Sequence, residues 1–527
     1  MQLVDSRRLT GPNLYARGPG AIAEVAWDAA WLAAGGEPDR AIELWRTQLA
    51  RLAAPLGLGS STVVTRRYVG GAALFVAAPW DQLLPATELN EWAVASAAQV
   101  LAGAPESPLE PALSTLAAAL AAARRPNLAE LEDAARVRGV PLLVDDERVT
   151  LGSGAHLLDF ADAALPTPDD VPWDAVASLP IALVTGTNGK TTTTRLAVRM
   201  ARLAGRHPGN SSSDGVAIDE QFIERGDWSG PDAARLVLRH PSVDVAVLEV
   251  ARGGILRRGL AIEAADVAVI TNVSADHLGS YGIDDLATMA RTKAVIATVA
   301  RTVVLNADDP ELVALAPTLA VPIIYVSRHG ANAVIAAHVA RGGEAWFVRG
   351  GQMIHRRGDV EREVIAIADV PLTFGGRAAY NVDNALAAAA LATALGLPDA
   401  AVIAGLREFT SSPVDNPGRG NRLDVGGVTV LVDFGHNPAA VQGVLGLAAS
   451  LGTGRLFVSL GMPGDRPDDE LVAVARAVAA ARPHQVRIYE LEDYLRGRAP
   501  QVVPALLAEA MRAAGLDAEA VLATTGE

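Results

Sequence analysis

Seven residues, Thr185-Gly-Thr-Asn-Gly-Lys-Thr191, join an apolar run, Ile181 to Val184, to an apolar-periodic stretch from Thr192 to Ala204. A strand that breaks into a glycine-rich turn and opens a helix aims several backbone N–H groups and a helix N-terminus at one point, which suits a polyphosphate. Lys190 would reach the β- and γ-phosphates, and the Thr191 hydroxyl would sit on a Mg²⁺. ATP is therefore the expected ligand, cradled by Gly186, Thr187, Asn188, Gly189, Lys190, Thr191 and Thr192. The usual spacing of such loops puts a first glycine five residues before Gly189, where this chain has Val184. The short form beginning at Gly186 points to a narrower group than nucleoside triphosphatases in general.

Four further features follow strand ends. Glu249 closes the run Val-Asp-Val-Ala-Val-Leu, and Gly253-Gly254 lies just beyond it. A carboxylate there can ligate Mg²⁺, and the glycines let backbone approach a ligand closely. Asn272-Val-Ser-Ala-Asp-His277 follows a strand ending at Thr271, Lys293 lies sixteen residues beyond His277, and Asn306-Ala-Asp-Asp-Pro310 follows a strand ending at Leu305. Taken singly, a strand-end glutamate is a solvated carboxylate, a histidine a structural hydrogen-bonding group and a lysine a surface charge. Their common position, after successive strands of one sheet, is what gives them a functional reading.

The elements that must hold these residues follow from pattern. Up to about Ala177, strands (Thr62 to Tyr68, Ala72 to Ala78) alternate with helical patterns (Ala21 to Ala34, Pro38 to Ala54, Glu88 to Ala102), and no chemical motif stands out. Leu165 to Pro172, rich in Pro and Asp, reads as a linker. Beyond it, short β runs at Val243 to Leu248, Val267 to Thr271 and Thr302 to Leu305 are separated by helical stretches, including one from near Asp284 that carries Lys293. That alternation is the mark of an α/β unit with a parallel sheet, whose ligands lie beyond the carboxyl ends of the strands. Pro413 to Arg419 reads as a hinge, followed by further strands at Val428 to Asp433, Arg455 to Ser459 and Gln485 to Tyr489. The Ala-rich stretches at Leu116 to Ala123 and Ala385 to Ala394 read as close-packed helices.

At 527 residues the chain exceeds one core, and a prior of roughly 150 residues per domain suggests three or four units. A net charge of −15 argues against nucleic acid or an anionic membrane as a main partner, because both need a basic face. The absence of cysteine excludes disulfides, thiolate metal sites and a cysteine nucleophile. The N-terminus lacks a basic-then-apolar signal, and no apolar run approaches the roughly 18 residues of a membrane span. A soluble cytoplasmic protein is expected.

The loop, the strand-end Glu249, Asn272 to His277, Lys293, Asn381-Val-Asp-Asn384, Gly418-Arg419, Asp433-Phe-Gly-His-Asn-Pro438 and Gly461-Met-Pro-Gly-Asp-Arg466 together resemble, in order, the Mur ligase superfamily. Within it, Ser213-Asp-Gly-Val, Glu249 to Arg257, Ala275-Asp-His-Leu-Gly and Leu495-Arg-Gly-Arg498 are most similar to the ligase module of cyanophycin synthetases, and Leu9-Thr-Gly-Pro-Asn13 and Ala134 to Gly154 resemble their N-terminal part. The ATP-grasp domain that adds aspartate in that family is expected to be missing between them. The resemblance implies an α/β protein: an α+β N-terminal domain (1–177), a P-loop-type parallel-sheet central ATPase domain (178–410) and a C-terminal Rossmann-like α/β domain (411–527).

It also implies an ADP-forming ligase that joins an amino acid to a carboxylate acceptor, a small molecule or peptide, through an acyl phosphate. Lys190, Glu249, His277 and Lys293 would be catalytic, and Thr191, Glu249, His277 and Lys293 would hold Mg²⁺. Lys293 resembles the lysine carbamylated in several Mur ligases; an unmodified lysine neutralising phosphate charge is the alternative. Asn306, Asn381, Arg419 and Asp433 match nucleotide-side positions. Ser213, Asp214, Arg252, His436, Asp493 and Arg496 fall on the substrate side. Asp493-Tyr-Leu-Arg496 departs from the DNPR pattern of some members, so the amine's identity does not carry over; Glu490, Glu492 or Asp493 could face a basic amine or be ordinary solvated acids. The alternatives are a folylpolyglutamate-type ligase, which the 4% aromatic content disfavours, and an inactive regulatory partner, which the intact set of site residues disfavours. A homo-oligomer is expected.

Overall fold

The computed structural model describes residues 1–59, 61–161, 164–452 and 454–524. Its N-terminal part is a four-stranded antiparallel sheet of β1 (Gln2–Leu9), β2 (Gly20–Ala26), β3 (Val63–Tyr68) and β4 (Gly71–Ala77), in the order β1-β2-β4-β3. The connections carry α1 (Ala29–Ala33) and α2 (Pro38–Ala53). Helices α3 (Leu83–Leu101), α4 (Leu109–Ala123) and α5 (Leu128–Arg138) follow, and then a small sheet of β5 (Leu142–Val144), β6 (Arg148–Leu151) and β7 (Leu158–Ala161).

The helix expected over Ala21 to Ala34 is wrong: its first part is β2, an inner strand. Ile22 packs with Leu9 and Phe75 on one face, while Ala23 and Val25 pack with Trp45 and Leu74 on the other. A strand covered on both faces reads as an unbroken apolar run, and periodicity cannot tell that from a buried helix. The Ala-rich stretch at Leu116 to Ala123 is helical, as α4, but Leu116 is its one buried residue, so close packing is not what it does.

The central sheet has eleven strands. In chain order it is built from β8 (Ile181–Thr185), α6 (Lys190–Leu203), β9 (Pro208–Ser212), β10 (Gly215–Ile218), β11 (Gln221–Arg225), α7 (Pro231–Leu238), β12 (Val245–Glu249), α8 (Arg252–Arg258), β13 (Ala265–Ile270), α9 (Leu286–Lys293), β14 (Ala300–Asn306), α10 (Pro310–Leu315), β15 (Ile323–Ser327), α11 (Ala333–Val339), β16 (Glu344–Arg349), β17 (Gln352–Arg357) and β18 (Val360–Ala366). The spatial order is β11-β10-β9-β12-β8-β13-β14-β15-β16-β17-β18, parallel from β9 to β16 and antiparallel at both ends. Alternate side chains of β8 enter different cores: Ile181 and Leu183 pack on the α7–α10 side, Ala182 and Val184 on the side of α6 and α12 (Ala379–Ala394). Helix α12 is buried almost all round, from Ala385 to Ala392, where six alanines beside Leu386 and Leu391 let it lie close to α6 and the sheet.

Register sets the site. Glu249 pairs with Val184 and Ile270 with Thr185, so β12, β8 and β13 end level and release their following loops at one edge.

After α13 (Asp399–Glu408) the segment Pro413 to Arg419 is a series of turns. An antiparallel hairpin, β19 (Asn421–Val425) and β20 (Val428–Val432), comes next. The strand expected at Val428 to Asp433 thus pairs within its own two-stranded sheet. Helix α14 (Pro438–Leu451) leads to a parallel sheet of β21 (Phe457–Leu460), β22 (Gln485–Tyr489) and β23 (Val521–Thr524), flanked by α15 (Asp468–Ala480) and α16 (Val502–Ala513). No described helix is long and apolar enough to cross a membrane.

Candidate active site

The loop from Gly186 to Gly189 is fixed by its neighbours rather than by its own contacts. Thr187 N–H donates to the Asn272 carbonyl at 2.9 Å, and Asn188 N–H to the Asn272 side-chain oxygen at 2.9 Å. The Thr271 hydroxyl and the Asn272 amide both donate to the Asn188 carbonyl, at 2.6 and 2.9 Å. Gly189 has φ +85°, and a Cβ there would lie 2.0 Å from the Asn384 side-chain oxygen on α12; one at Gly186 would lie 1.8 Å from the Thr271 hydroxyl. Both positions need glycine for space as well as for conformation. Lys190 Nζ folds back over the loop to the carbonyls of Gly186 and Thr187, at 3.2 and 3.1 Å.

The Thr191 hydroxyl donates to Glu249 at 2.9 Å and lies 3.2 Å from the Ser213 hydroxyl. Glu249 is 2% exposed. Burial pushes its carboxyl up, against the pull of the Lys190 charge and the Thr191 hydrogen bond. Among the described residues no three His, Asp or Glu side chains converge. A Mg²⁺ beside Thr191 and Glu249 would thus be completed by phosphate oxygens and water, its usual habit. The hard-oxygen pair and the glycine cradle fit such an ion and its nucleotide.

Lys293, the last residue of α9, is 3% exposed and makes no hydrogen bond or ion pair among the described residues. Burial, then the nearby Lys190 charge, hold its ammonium well below the usual lysine range. His277 sits in the left-handed region at φ 55°. Burial pushes its imidazole down to about 4, although Asp276 opposes the shift. Arg252, at the start of α8, donates to the His277 carbonyl at 2.7 Å. Strained backbone of this kind collects at functional sites.

Residues from 411–527 reach this edge. The Asn437 and Asn188 amides pair with each other at 2.8 and 3.2 Å, and Asn416 donates to the Thr192 hydroxyl at 3.1 Å. Arg419 lies over the Phe434 ring at 4.7 Å and 3.5 Å from Asp214, which also pairs with Arg195 at 2.9 Å. Asp433 is capped by Gly435 N–H at 2.7 Å, and burial raises its carboxyl. His436 Nε2 stands 4.0 Å from Asp276. Asn306 accepts from Asp308 N–H at 2.9 Å, and Asn381 accepts from Asn384 at 3.1 Å. Asp493 and Arg496 stay outside this network: both are exposed, and the Arg496 guanidinium lies over the Tyr494 ring. Glu490 instead accepts from the Gln501 backbone and side chain at the start of α16.

The sequence places Arg466 in a motif but does not foretell its partners. Arg466 pairs with Asp276 and, at 2.9 Å, with Glu470, joining α15 to the loop that carries His277. Burial alone would raise the Asp276 carboxyl, but the Arg466 guanidinium outweighs it and holds the group at about 2. Arg466 is 6% exposed. Truncating it to alanine strands two carboxylates in a poorly solvated place, so R466A should lose about 3–5 kcal/mol of stability. Urea denaturation checks this, and a loss below about 1 kcal/mol would mean that the pair is solvent-screened.

Two family models match the chain, the Mur ligase middle domain over residues 184–392 and the Mur ligase glutamate ligase domain over residues 418–525; together they take in more than half of it. The chain belongs to the Mur ligase superfamily. The first match begins at Val184, within β8, and the second begins one residue before Arg419. This Mur ligase superfamily member is 41% identical over 330 residues to the cyanophycin synthetase of Synechocystis sp., which covers 62% of the chain and 38% of that protein. It is 31% identical over 286 residues to the UDP-N-acetylmuramoylalanine–D-glutamate ligase of Nitrosococcus oceani, covering 52% of the chain and 54% of that protein. The chain spans well under half the length of the cyanophycin synthetases that it matches. A solved folylpolyglutamate synthase of Mycobacterium tuberculosis, complexed with ADP, superposes with a TM-score of 0.48 at 20% identity over 66% of this chain and 81% of that one.

Proposed function

We propose that this protein is an ATP-dependent, ADP-forming ligase that joins an amino acid to a preformed carboxylate acceptor through an amide bond. The observation that carries the reading is the cluster at the level ends of β12, β8 and β13: a glycine cradle with Lys190, the Thr191–Glu249 pair, and the loop that bears His277. In this reading residues 178–410 bind ATP, residues 411–527 close over it, and residues 1–177 recognise the acceptor or build an oligomer.

A carboxylate and an amine do not condense unaided, because the carboxylate oxygen is a poor leaving group. In the proposed reaction an acceptor oxygen attacks the γ-phosphorus and ADP departs. The amine, having lost its proton, then adds to the acyl carbon, and phosphate leaves. Lys190 holds the β- and γ-phosphates and meets the charge that spreads over them. Thr191 and Glu249 would hold a first Mg²⁺, and His277 and a carbamylated Lys293 would hold a second. These ions would neutralise phosphoryl oxygens and orient the acceptor. Asn306 and Asn381 lie on the nucleotide side, and Arg419 and Asp433 arrive from beyond the hinge. Ser213, Asp214, Arg252 and His436 line the approach of acceptor and amine. Closure by the Asn188–Asn437 contact would exclude water that could hydrolyse the acyl phosphate.

The test is a matrix of acidic acceptors against amino acids, with ATP, Mg²⁺ and bicarbonate, followed by ADP release and mass spectrometry. ADP should appear only when acceptor and amine are both present, with a product one water lighter than their sum. ADP release without any amine would sink the reading.

A further inference from the structure

A cavity of about 320 Å³, which includes none of the residues above, opens between the N-terminal sheet, the β5–β6 turn and the starts and ends of α7 and α8. Its wall carries charges of both signs. Some of these are already satisfied: Asp145 pairs with Arg239, and Asp232 with Arg235 at 2.8 Å. Arg8, Arg258 and Asp146 have no side-chain partner among the described residues, and Asp81 accepts only a backbone N–H, from Arg125 at 2.9 Å. Arg235 is 6% exposed, and its Nε is buried without an acceptor. The N-terminus of α7 opens on the same space, with no side-chain cap from Gly230.

Arg235 is already engaged, donating to Asp232 at 2.8 Å and to the Thr10 hydroxyl at 3.3 Å. The space is large enough for a small ligand. The two unpaired guanidiniums, Arg8 and Arg258, beside an uncapped helix N-terminus favour carboxylate oxygens. Asp81 and Asp146 face the same space and would repel a plain polyanion, so they require positive charge on the same molecule. We infer that this cavity is a second binding site, for a small zwitterion of the amino-acid or short-peptide type, with its carboxylate on Arg8 and Arg258 and its cationic group on Asp81 and Asp146.

The site is mechanically tied to the chemistry. Arg258 ends α8, where its carbonyl accepts from Thr10 N–H at 2.6 Å, and Arg7 donates to the Leu256 carbonyl at 2.9 Å. The same helix begins at Arg252, which holds the His277 carbonyl. At 1.5 Å per residue a helix of this length spans roughly 10 Å. Occupancy of the cavity therefore bears on the His277 loop through one short rigid element.

The inference stands apart from the ligase reading and is tested by binding alone. Calorimetric titrations of the full chain, without nucleotide, use L-aspartate, L-arginine, succinate and inorganic phosphate. At least one amino acid should bind. The R8A/R258A double variant, which alters partly or fully exposed side chains, should bind it at least tenfold more weakly, and K190A should bind it as wild type does. Asp146→Asn should weaken the amino acid and not succinate. Succinate or phosphate binding as tightly as the amino acids would overturn the zwitterion assignment. Absence of all binding, or binding that K190A removes and R8A/R258A does not, would overturn the site.

Discussion

Lys190→Ala should lower ATP-dependent turnover by roughly 10³-fold while leaving the fold intact. The two halves of that expectation rest on different contacts. The Lys190 ammonium donates only to the carbonyls of Gly186 and Thr187 in its own loop, and the loop is held independently by Thr271 and Asn272. Its removal therefore takes away little structural support. The charge itself has nearby dependants. It offsets the cost of burying Glu249 as a carboxylate, and it adds to the burial that lowers the proton affinity of Lys293. Without it, Glu249 is drawn towards the protonated form and becomes a poorer ligand for a cation, and Lys293 is drawn towards the ammonium form. The measurement is steady-state ADP release beside a thermal melt. Unchanged melting with turnover within tenfold of wild type would mean that the loop does not hold the reacting phosphates.

The second large effect concerns Lys293. Burial and the Lys190 charge lower the proton affinity of Lys293, and in its neutral form the amine can add to CO₂; the nitrogen forms the new C–N bond, one proton leaves, and a carbamate anion results. That anion is an oxygen ligand of the kind a hard cation prefers. We expect intact-mass spectra recorded in bicarbonate to show one added CO₂ on the wild type and none on Lys293→Ala. The variant should lose roughly 10²–10³-fold in turnover, partly restored by short carboxylic acids that refill the space. Lys293→Arg separates the two readings of this residue. Arginine keeps a positive charge and cannot be carbamylated, so its turnover should be as low as that of Lys293→Ala. Near-normal turnover in that variant would show that position 293 serves only to balance phosphate charge.

What could be seen in advance followed the distance along the chain. The glycine loop was legible because strand, turn and helix are contiguous in Ile181 to Leu203. The level alignment of Glu249 with the loop was legible as well, since parallel strands with short buried runs end on a common edge. Strand β2 was not, because Ile22 and Val25 serve opposite faces of a covered sheet and leave no alternation to detect. The Arg466–Asp276 pair was hidden for another reason. Its partners lie 190 residues apart, and nothing in Gly-Met-Pro-Gly-Asp-Arg specifies which carboxylate the arginine meets. Glu490 shows the reverse error: an acid near an expected amine pocket is occupied in holding the first turn of α16. Local geometry can be read from local sequence, whereas the choice of partner for a charged side chain is made by the tertiary fold.

Two of the contacts that residues 411–527 make with this edge differ in kind, and the difference bears on the timing of the proposed closure. Arg466 with Asp276 is an ion pair, and any partial separation that admits water exposes it to dissolved salt. Asn188 with Asn437 is a pair of neutral amides, whose exchange for water is nearly even in free energy. At the nucleotide side that neutral pair stands beside a second ion pair, Arg419 with Asp214. The salt sensitivity of the proposed opening then rests on the Arg466–Asp276 and Arg419–Asp214 pairs, so raising the salt concentration is expected to hasten the release of products.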